Sequence, residues 1–160
     1  MRIISYNTNG IRAAVKKGLI EWLQTNPADI ICIQEIKANV EDVDVKAFEA
    51  LGFETYWFSA QKKGYSGVAV FTKIKPDLVE YGTKIEQSDF EGRVIRLDFK
   101  DITLINAYFP SGTSGDERQT YKYQWLNEMF DYVQALRKKR KKMPMGTRPL
   151  VARAPASVQF

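Results

Sequence analysis

The chain has 160 residues and a mass of 18.4 kDa, a size that suits one domain with a buried core. Its formal net charge of +5 is typical of nucleic-acid-binding proteins, but eight of its 24 Lys and Arg residues lie from Arg137 onward, where no Asp or Glu occurs. Residues 1–136 therefore carry a net charge of −3, which excludes overall charge as a source of DNA affinity in the main part of the chain.

Two short β-branched runs near the N-terminus predict neighbouring strands of one sheet, and each run ends in polar residues. Arg2-Ile3-Ile4 leads into Ser5-Tyr6-Asn7-Thr8-Asn9-Gly10, and Ile30-Ile31-Cys32-Ile33 leads into Gln34-Glu35-Ile36-Lys37. We expect the two polar ends to lie side by side. A carboxylate and two carboxamides at one rim of a sheet can hold a hard cation such as magnesium, which suits phosphodiester chemistry. Taken singly, each cluster also fits a turn or a solvated strand end.

The rest of the chain predicts further helices and strands in an α/β arrangement. Helical spacing occurs from Ile11 to Leu23, from Val43 to Leu51 and from Tyr121 to Leu136. Strand patterns cover residues 54–59, 67–72, 78–81, 94–99 and 102–108, with a tight hairpin connection at Lys100-Asp101. Six consecutive cations, residues 137–142, lead into a stretch that contains half of the six prolines and lacks an amphipathic period, so residues 141–160 are expected to form a disordered basic tail.

Targeting signals and cysteine chemistry give little information about function. No run is long enough for a transmembrane helix, and Lys16 and Lys17 interrupt the pattern where a signal peptide would be apolar, so we expect an intracellular, cytoplasmic protein. The single cysteine, Cys32, lies within an apolar strand pattern, which predicts a buried, reduced thiol.

Five motifs along the chain form a recognisable set: Ser5-Tyr6-Asn7-Thr8-Asn9-Gly10-Ile11-Arg12, Gln34-Glu35-Ile36-Lys37, Gly64-Tyr65-Ser66-Gly67-Val68-Ala69, Glu91-Gly92-Arg93-Val94-Ile95 and Asn106-Ala107-Tyr108-Phe109-Pro110. In their order and spacing they resemble the exodeoxyribonuclease III family of abasic-site endonucleases within the endonuclease/exonuclease/phosphatase superfamily. The resemblance covers residues 1–140. It implies a DNA-repair nuclease that uses magnesium, or alternatively manganese, to cut double-stranded DNA at abasic sites and to degrade strands from 3′ ends.

The resemblance also implies roles for individual residues. Glu35 stands at the position of the metal-binding glutamate, with Asn9 and Asn7 as further oxygen ligands and Asn7 orienting an active-site carboxylate. Tyr108 stands where the family tyrosine approaches the scissile phosphate, and a phenol there can donate a hydrogen bond to a phosphate oxygen that gains charge. Candidate DNA contacts follow the glutamate and the later motifs: Arg93, Tyr65, Lys37, Arg118 and Lys122. Lys37 could instead temper the local negative charge.

The sequence departs from the family pattern beyond the last predicted helix. Family members continue with an apolar strand ending in Gly-Asp-x-Asn and later finish a strand with Ser-Asp-His, and this chain has neither motif and no histidine. Those motifs supply the Asp that positions the attacking water, its Asn partner and a phosphate-binding His. The resemblance therefore implies a truncated or frame-shifted family member that is impaired as it stands, because general acid-base groups contribute typically ~10² to 10⁴-fold each.

The implied fold is a deoxyribonuclease I-like, two-layer β-sandwich flanked by helices, of which only the first half is expected. We expect mainly one sheet, whose uncovered inner face would favour self-association. Two alternatives to the nuclease stay open: a related phosphodiesterase that acts on lipid or inositol phosphates, and a non-catalytic fragment that binds nucleic acid through the basic tail, with affinity falling as salt rises.

Overall fold

The computed structural model describes residues 1–100, 102–112, 115–140 and 148–152, which form four layers in the order helix, sheet, sheet, helix. Each sheet has four strands, and the two sheets lie face to face. The predicted fold class, a β-sandwich flanked by helices, is therefore confirmed. Among the described residues, no helix combines the length and the hydropathy needed to cross a bilayer.

The first sheet contains the strands β1 (Ile3–Asn7), β2 (Ile30–Gln34), β3 (Glu54–Phe58) and β4 (Val68–Thr72) in the order β1-β2-β4-β3. β1 and β2 are parallel, and their register pairs Asn7 with Gln34. Their polar ends therefore lie at the same edge of the sheet, as the sequence predicts. β4 runs antiparallel to both β2 and β3.

The second sheet contains the strands β5 (Leu78–Tyr81), β6 (Val94–Asp98), β7 (Ile102–Ala107) and β8 (Arg148–Ala152) in that order. β5, β6 and β7 are antiparallel neighbours, and reciprocal backbone hydrogen bonds between Phe99 and Ile102 close the β6–β7 hairpin. Asp101 of the predicted connection lies outside the described residues. β8 is parallel to β7.

Strand β8 lies within the segment for which the sequence predicts disorder, and the structure differs from that prediction at residues 148–152. The other residues of the predicted tail, 141–147 and 153–160, lie outside the described residues. Residues 148–152 form a strand because one edge of β7 is not paired with β6, and the backbone groups at that edge can bond to a further strand. Pro149, which has no N–H to donate, is compatible with an edge strand.

Five α-helices and a 3₁₀ helix connect or cover the strands in the described part of the chain. They are α1 (Ile11–Lys16), α2 (Leu19–Thr25), the 3₁₀ helix Val40–Asp42, α3 (Val45–Glu49), α4 (Glu86–Phe90) and α5 (Asp116–Arg140). The first predicted helix is divided in two at Gly18, whose left-handed φ of 96° ends one helical segment and begins the next. The short helix α4 is not predicted by the sequence pattern.

The hydrophobic core has three parts, because both sheets are covered on both faces. Alternate residues of β2 point to opposite sides: Ile31 and Ile33 pack against α1, α2 and α3, whereas Ile30 and Cys32 pack between the sheets. The opposite face of the second sheet packs against α5 through Trp125, among others. Cys32 is fully buried, as predicted, and burial raises the pKa of its thiol to about 12.

The expectation that one sheet would dominate and leave its inner face uncovered is wrong. Val68 and Val70 of the first sheet pack against Ile95, Leu97 and Leu104 of the second, and all five side chains are fully buried. The sequence patterns predict these strands correctly, but such a pattern does not show that the strands divide between two sheets. The second sheet covers the inner face of the first sheet, so this face offers no surface for the expected self-association.

A buried asparagine connects the two sheets by hydrogen bonds. Asn106 of β7 is fully buried, and its Nδ2 donates to the carbonyl oxygens of Ile33 at 3.0 Å and Ala69 at 2.8 Å. Its Oδ1 accepts a hydrogen bond from Gln34 Nε2 at 2.7 Å. These contacts fix the end of β7 relative to the ends of β2 and β4, at the same edge where the polar clusters lie.

We predict that Asn106→Ala lowers the free energy of unfolding by about 3 kcal/mol, because it leaves buried polar groups without partners and creates a cavity. Urea denaturation followed by tryptophan fluorescence measures this change. The matched control is Asn127→Ala on the exposed face of α5, for which a change within about 0.5 kcal/mol is expected. Equal effects of the two substitutions would contradict a role for Asn106 in joining the sheets.

Candidate active site

Backbone hydrogen bonds between three loops hold the polar ends of β1 and β2 in place. Gly10 donates its N–H to the carbonyl of Glu35 at 2.8 Å, and Lys37 donates to the carbonyl of Ser66 in the loop before β4 at 2.9 Å. Asn9, Glu35 and Lys37 all have positive φ angles, of 46°, 59° and 49°. Because such angles are unfavourable for residues with a Cβ, we infer that the surrounding loops impose them, as is common at functional sites.

The side chains at this edge form a group that we call the carboxylate rim: Asn7, Asn9, Glu35 and Lys37. Lys37 Nζ lies 2.8 Å from Glu35 Oε1 and donates a hydrogen bond to Asn9 Oδ1 at 2.6 Å. Asn7 Oδ1 accepts a hydrogen bond from the backbone N–H of Asn9 at 3.0 Å. The structure thus brings together the three predicted metal ligands, and it places Lys37 so that its ammonium group balances the charge of Glu35.

The donor chemistry of the carboxylate rim fits a magnesium ion. Magnesium is commonly bound through one or two carboxylates together with water and substrate phosphates, and the rim offers one carboxylate and amide oxygens. Two of these oxygens, from Glu35 and Asn9, already converge on one cationic group, the ammonium of Lys37. Among the described residues, no cluster of three or more Asp, Glu, His and Cys side chains offers a richer ligand set. Glu35 is accordingly the residue that would hold the ion.

Tyr108 lies between the carboxylate rim and a second group of charged residues. Its backbone N–H donates to the carbonyl of Arg93 at 2.8 Å, which continues the β6–β7 pairing by one residue. Burial raises the pKa of Tyr108 to about 12, and the charge and hydrogen bond of Glu35 act in the same direction, against the opposing charge of Arg93. The phenol therefore stays protonated at neutral pH and can act as a hydrogen-bond donor.

The second group, which we call the arginine cluster, consists of Tyr65, Glu91, Arg93 and Arg118. Glu91 lies at its centre, 2.5 Å from Arg93 Nε and 3.0 Å from one terminal nitrogen of Arg118. The Tyr65 hydroxyl accepts a hydrogen bond from Arg118 at 2.9 Å. Two guanidinium groups against one carboxylate leave a surplus of one positive charge beside Tyr108.

The predicted DNA contacts differ in how they are placed. Arg93 is 1% exposed; it donates to the carbonyl of Tyr108 at 2.8 Å, and its guanidinium carbon lies 5.0 Å from the centre of the Tyr108 ring. In this arrangement Arg93 supports Tyr108 from within the protein. Arg118 and Lys122 are half-buried on α5, and a Cβ at Gly112 would lie 3.2 Å from Lys122 Cδ, so Lys122 lies beside the loop that follows Tyr108. Direct DNA contact by any of these residues stays a prediction.

Sequence reasoning missed Glu91 as a residue of the site. Burial disfavours its charged form, but the hydrogen bonds and charges of Arg118 and Arg93 outweigh burial and hold the pKa of Glu91 below its ordinary value. The sequence contained one signal, the spacing of Glu91 and Arg93 two residues apart around Gly92. The contact with Arg118, which is 27 residues away, could not be found from that spacing.

Comparison with known proteins identifies relatives across most of the chain. The model of the endonuclease/exonuclease/phosphatase family matches residues 4–145. An exodeoxyribonuclease of Bacillus subtilis is 40% identical over 141 residues, which are 88% of this chain and 55% of the relative. A DNA-(apurinic or apyrimidinic site) endonuclease of Dictyostelium discoideum is 34% identical over 138 residues, which are 85% of this chain and 38% of the relative.

A solved structure of similar fold is that of an AP endonuclease from Archaeoglobus fulgidus, with a TM-score of 0.74 and 32% identity. The match covers 84% of this chain and 51% of that protein. The chain thus spans between 38% and 55% of the length of these relatives and of this structure. Residues 4–145, which the family model matches, contain both the carboxylate rim and the arginine cluster.

We predict that Lys37→Met increases the affinity of the rim for Mn²⁺ about tenfold, because a positive charge next to Glu35 and Asn9 is removed. Electron paramagnetic resonance of free Mn²⁺ during titration measures the affinity. Lys46→Met, which removes the same charge from an exposed position on α3, is the control and is expected to change the affinity little. Weaker binding to the Lys37→Met variant would contradict the proposed charge balance.

We predict that the hydroxyl of Tyr108 ionises near pH 12 rather than near 10, which is typical of free tyrosine. The difference between the ultraviolet pH titrations of the wild type and Tyr108→Phe isolates this group, with N-acetyltyrosinamide as the reference compound. Because the pKa is raised in the folded state, the hydroxyl's contribution to stability is complete below pH 10 and is lost as the pH rises through about 12. A difference curve centred near pH 10 would contradict this environment for Tyr108.

Proposed function

This chain belongs to the endonuclease/exonuclease/phosphatase family, and we propose that it is a DNA-repair nuclease of the exodeoxyribonuclease III type. The proposed reaction is magnesium-dependent hydrolysis of phosphodiester bonds at abasic sites and at 3′ ends of double-stranded DNA. The names of the relatives, an exodeoxyribonuclease and an apurinic or apyrimidinic site endonuclease, support DNA rather than a lipid or inositol phosphate as the substrate.

The observation that carries the proposal is the position of Tyr108 between a carboxylate and a positively charged cluster. On one side lies Glu35, the carboxylate of the rim, and on the other lies Arg93, which the arginine cluster holds in place. A phosphodiester needs a donor to its oxygens and a positive environment for its charge. The Tyr108 phenol is such a donor, and the arginine cluster next to it supplies the positive environment.

Each residue then has a distinct part in the reaction. Tyr108 keeps its proton at neutral pH and donates a hydrogen bond to a phosphate oxygen as negative charge develops there. Arg118 and Tyr65, at the more exposed side of the arginine cluster, bind the phosphate charge, for which the planar guanidinium fork is well suited. Arg93 orients Tyr108 through the backbone carbonyl and the ring face.

Glu35 would hold the magnesium ion, with the amide oxygens of Asn7 and Asn9 beside it. When bound, the ion supplies Lewis-acid polarisation of the phosphoryl oxygens. Lys37 limits the negative charge of the rim through its contacts with Glu35 and Asn9.

We further propose that these 160 residues, taken by themselves, are impaired as a nuclease. The sequence contains no histidine, and the Gly-Asp-x-Asn and Ser-Asp-His motifs do not occur in it. Glu91, the carboxylate of the arginine cluster, is paired with Arg93 and Arg118 and is therefore not available to position the attacking water. Losing such a group costs typically ~10² to 10⁴-fold in rate, and more than one is missing.

The test is incision of a duplex that carries one tetrahydrofuran abasic-site analogue, with magnesium or with chelator. The proposal predicts incision at least ~100-fold slower than by the Bacillus subtilis relative under the same conditions. It also predicts that chelator or Glu35→Gln abolishes the residual incision. Glu41→Gln, the same change at an exposed position of the 3₁₀ helix, is the control and should leave it unchanged.

The possible outcomes separate the two parts of the proposal. Incision at the rate of the relative would contradict the impairment, although not the nuclease function. Incision that persists in chelator, or that Glu35→Gln leaves unchanged, would contradict the role of the carboxylate rim.

A further inference from the structure

Glu91 holds the arginine cluster together, and its contacts extend to three separate segments of the chain. Its two carboxylate oxygens are divided between two arginines: Oε2 accepts from Arg93 Nε at 2.5 Å, and Oε1 accepts from Arg118 at 3.0 Å. The Tyr65 hydroxyl lies 3.4 Å from the same Oε1. Tyr65 comes from the loop before β4, Arg93 directly precedes β6, and Arg118 lies in the first turn of α5.

The two arginines differ in what they can reach. The side chain of Arg93 is 1% exposed, whereas that of Arg118 is 26% exposed. Arg93 is fully committed to the protein, since it contacts Glu91, Tyr65 and the carbonyl of Tyr108. Arg118 is therefore the guanidinium group of the cluster that can meet a phosphate from solvent.

Without Glu91, two guanidinium groups would share one partly buried region with no negative charge between them. Like charges repel in such a region, and an unpaired buried charge is strongly unfavourable. The more exposed of the two, Arg118, could escape by turning into solvent. A carboxylate at this position thus fixes the direction of the Arg118 side chain as well as neutralising Arg93.

We propose that Glu91 is a positioning residue of the nuclease site, which holds the Arg118 guanidinium and the Tyr65 hydroxyl in the orientation that binds a DNA phosphate. This inference rests on the proposed function, because it assumes that the phosphate of a DNA strand binds beside Tyr108. Through Arg93, the same carboxylate also supports the backbone and the ring of Tyr108.

A competing role for Glu91 makes the opposite prediction. If its carboxylate occupied the place of the phosphate, Arg118 would have to leave Glu91 in order to bind DNA, and neutralising Glu91 would increase the contribution of Arg118. If Glu91 positions Arg118, neutralising it reduces that contribution. A double-mutant cycle measures this difference in sign.

The experiment measures binding of the duplex with the tetrahydrofuran analogue by fluorescence anisotropy, in chelator and at one fixed salt concentration. We expect Arg118→Met to weaken binding about tenfold in the otherwise wild-type chain, as is typical for loss of a charged hydrogen bond. In the Glu91→Gln background the same substitution should weaken binding less than about threefold. Equal effects in the two backgrounds, or a larger effect in the second, would overturn the proposal.

The control separates positioning from overall charge. Glu86→Gln, at an exposed position of α4 five residues away, removes the same negative charge and should leave the roughly tenfold effect of Arg118→Met unchanged. A reduced effect in the Glu86→Gln background would mean that the cycle reports general electrostatics, and would also overturn the proposal.

A spectroscopic measurement tests Glu91 in the absence of DNA. Nitrogen-15 NMR of the arginine side chains should show slowly rotating terminal nitrogens for Arg118, assigned by their loss in Arg118→Met, because Glu91 and Tyr65 hold both ends of the fork. Glu91→Gln should abolish this restriction and Glu86→Gln should not. Retention of the restricted signals in Glu91→Gln would contradict positioning by Glu91.

The two measurements also distinguish failure of this inference from failure of the proposed function. If the folded wild type shows no saturable duplex binding, the proposed function fails, while the NMR comparison still decides whether Glu91 orients Arg118.

If Glu91→Gln does not fold, Tyr65→Phe replaces it in the cycle, because it removes only the hydroxyl that accepts from Arg118 at 2.9 Å. The effect of Arg118→Met should again be reduced, and an unchanged effect would count against the proposal.

Discussion

The hydrogen bonds that Asn106 makes across the sandwich fix the two sheets relative to each other, and the geometry of the candidate site depends on them. Asn106 is on β7, two residues before Tyr108, and its amide contacts the backbone of Ile33, two residues before Glu35. Hydrophobic packing between the sheets is not directional, so it cannot set this alignment alone. The buried amide supplies the direction, and as a result the ends of β2 and β7 lie next to each other.

Two groups of paired charges lie on either side of Tyr108. In the carboxylate rim a lysine accompanies one carboxylate, and in the arginine cluster one carboxylate lies between two arginines. Charges at a partly buried edge must be paired, since desolvation of an isolated charge is costly. Pairing within the site also keeps each side chain in one orientation before substrate arrives, so that less reorganisation is needed on binding.

The strand ends of β1 and β2 could be predicted from the sequence because their pattern is local: an apolar run followed by polar residues. The same is true of Glu35, which directly follows such a run. The pairing of β8 with β7 could not be predicted, because it depends on an available sheet edge and not on the composition of residues 148–152. The burial of Arg93 also escaped prediction, since it requires Glu91 and the backbone of Tyr108 to meet in three dimensions.

In the proposed function, the carboxylate rim beside Tyr108 is the place where the cation binds. Paramagnetic broadening of backbone amide NMR signals by substoichiometric Mn²⁺ locates the bound ion, because broadening falls steeply with distance from it. We expect the signals of Asn9, Glu35 and Tyr108 to broaden first and Glu35→Gln to remove this effect. Broadening centred on other carboxylates, such as Asp77 and Asp98, which line a cavity of about 380 Å³, would rule this out.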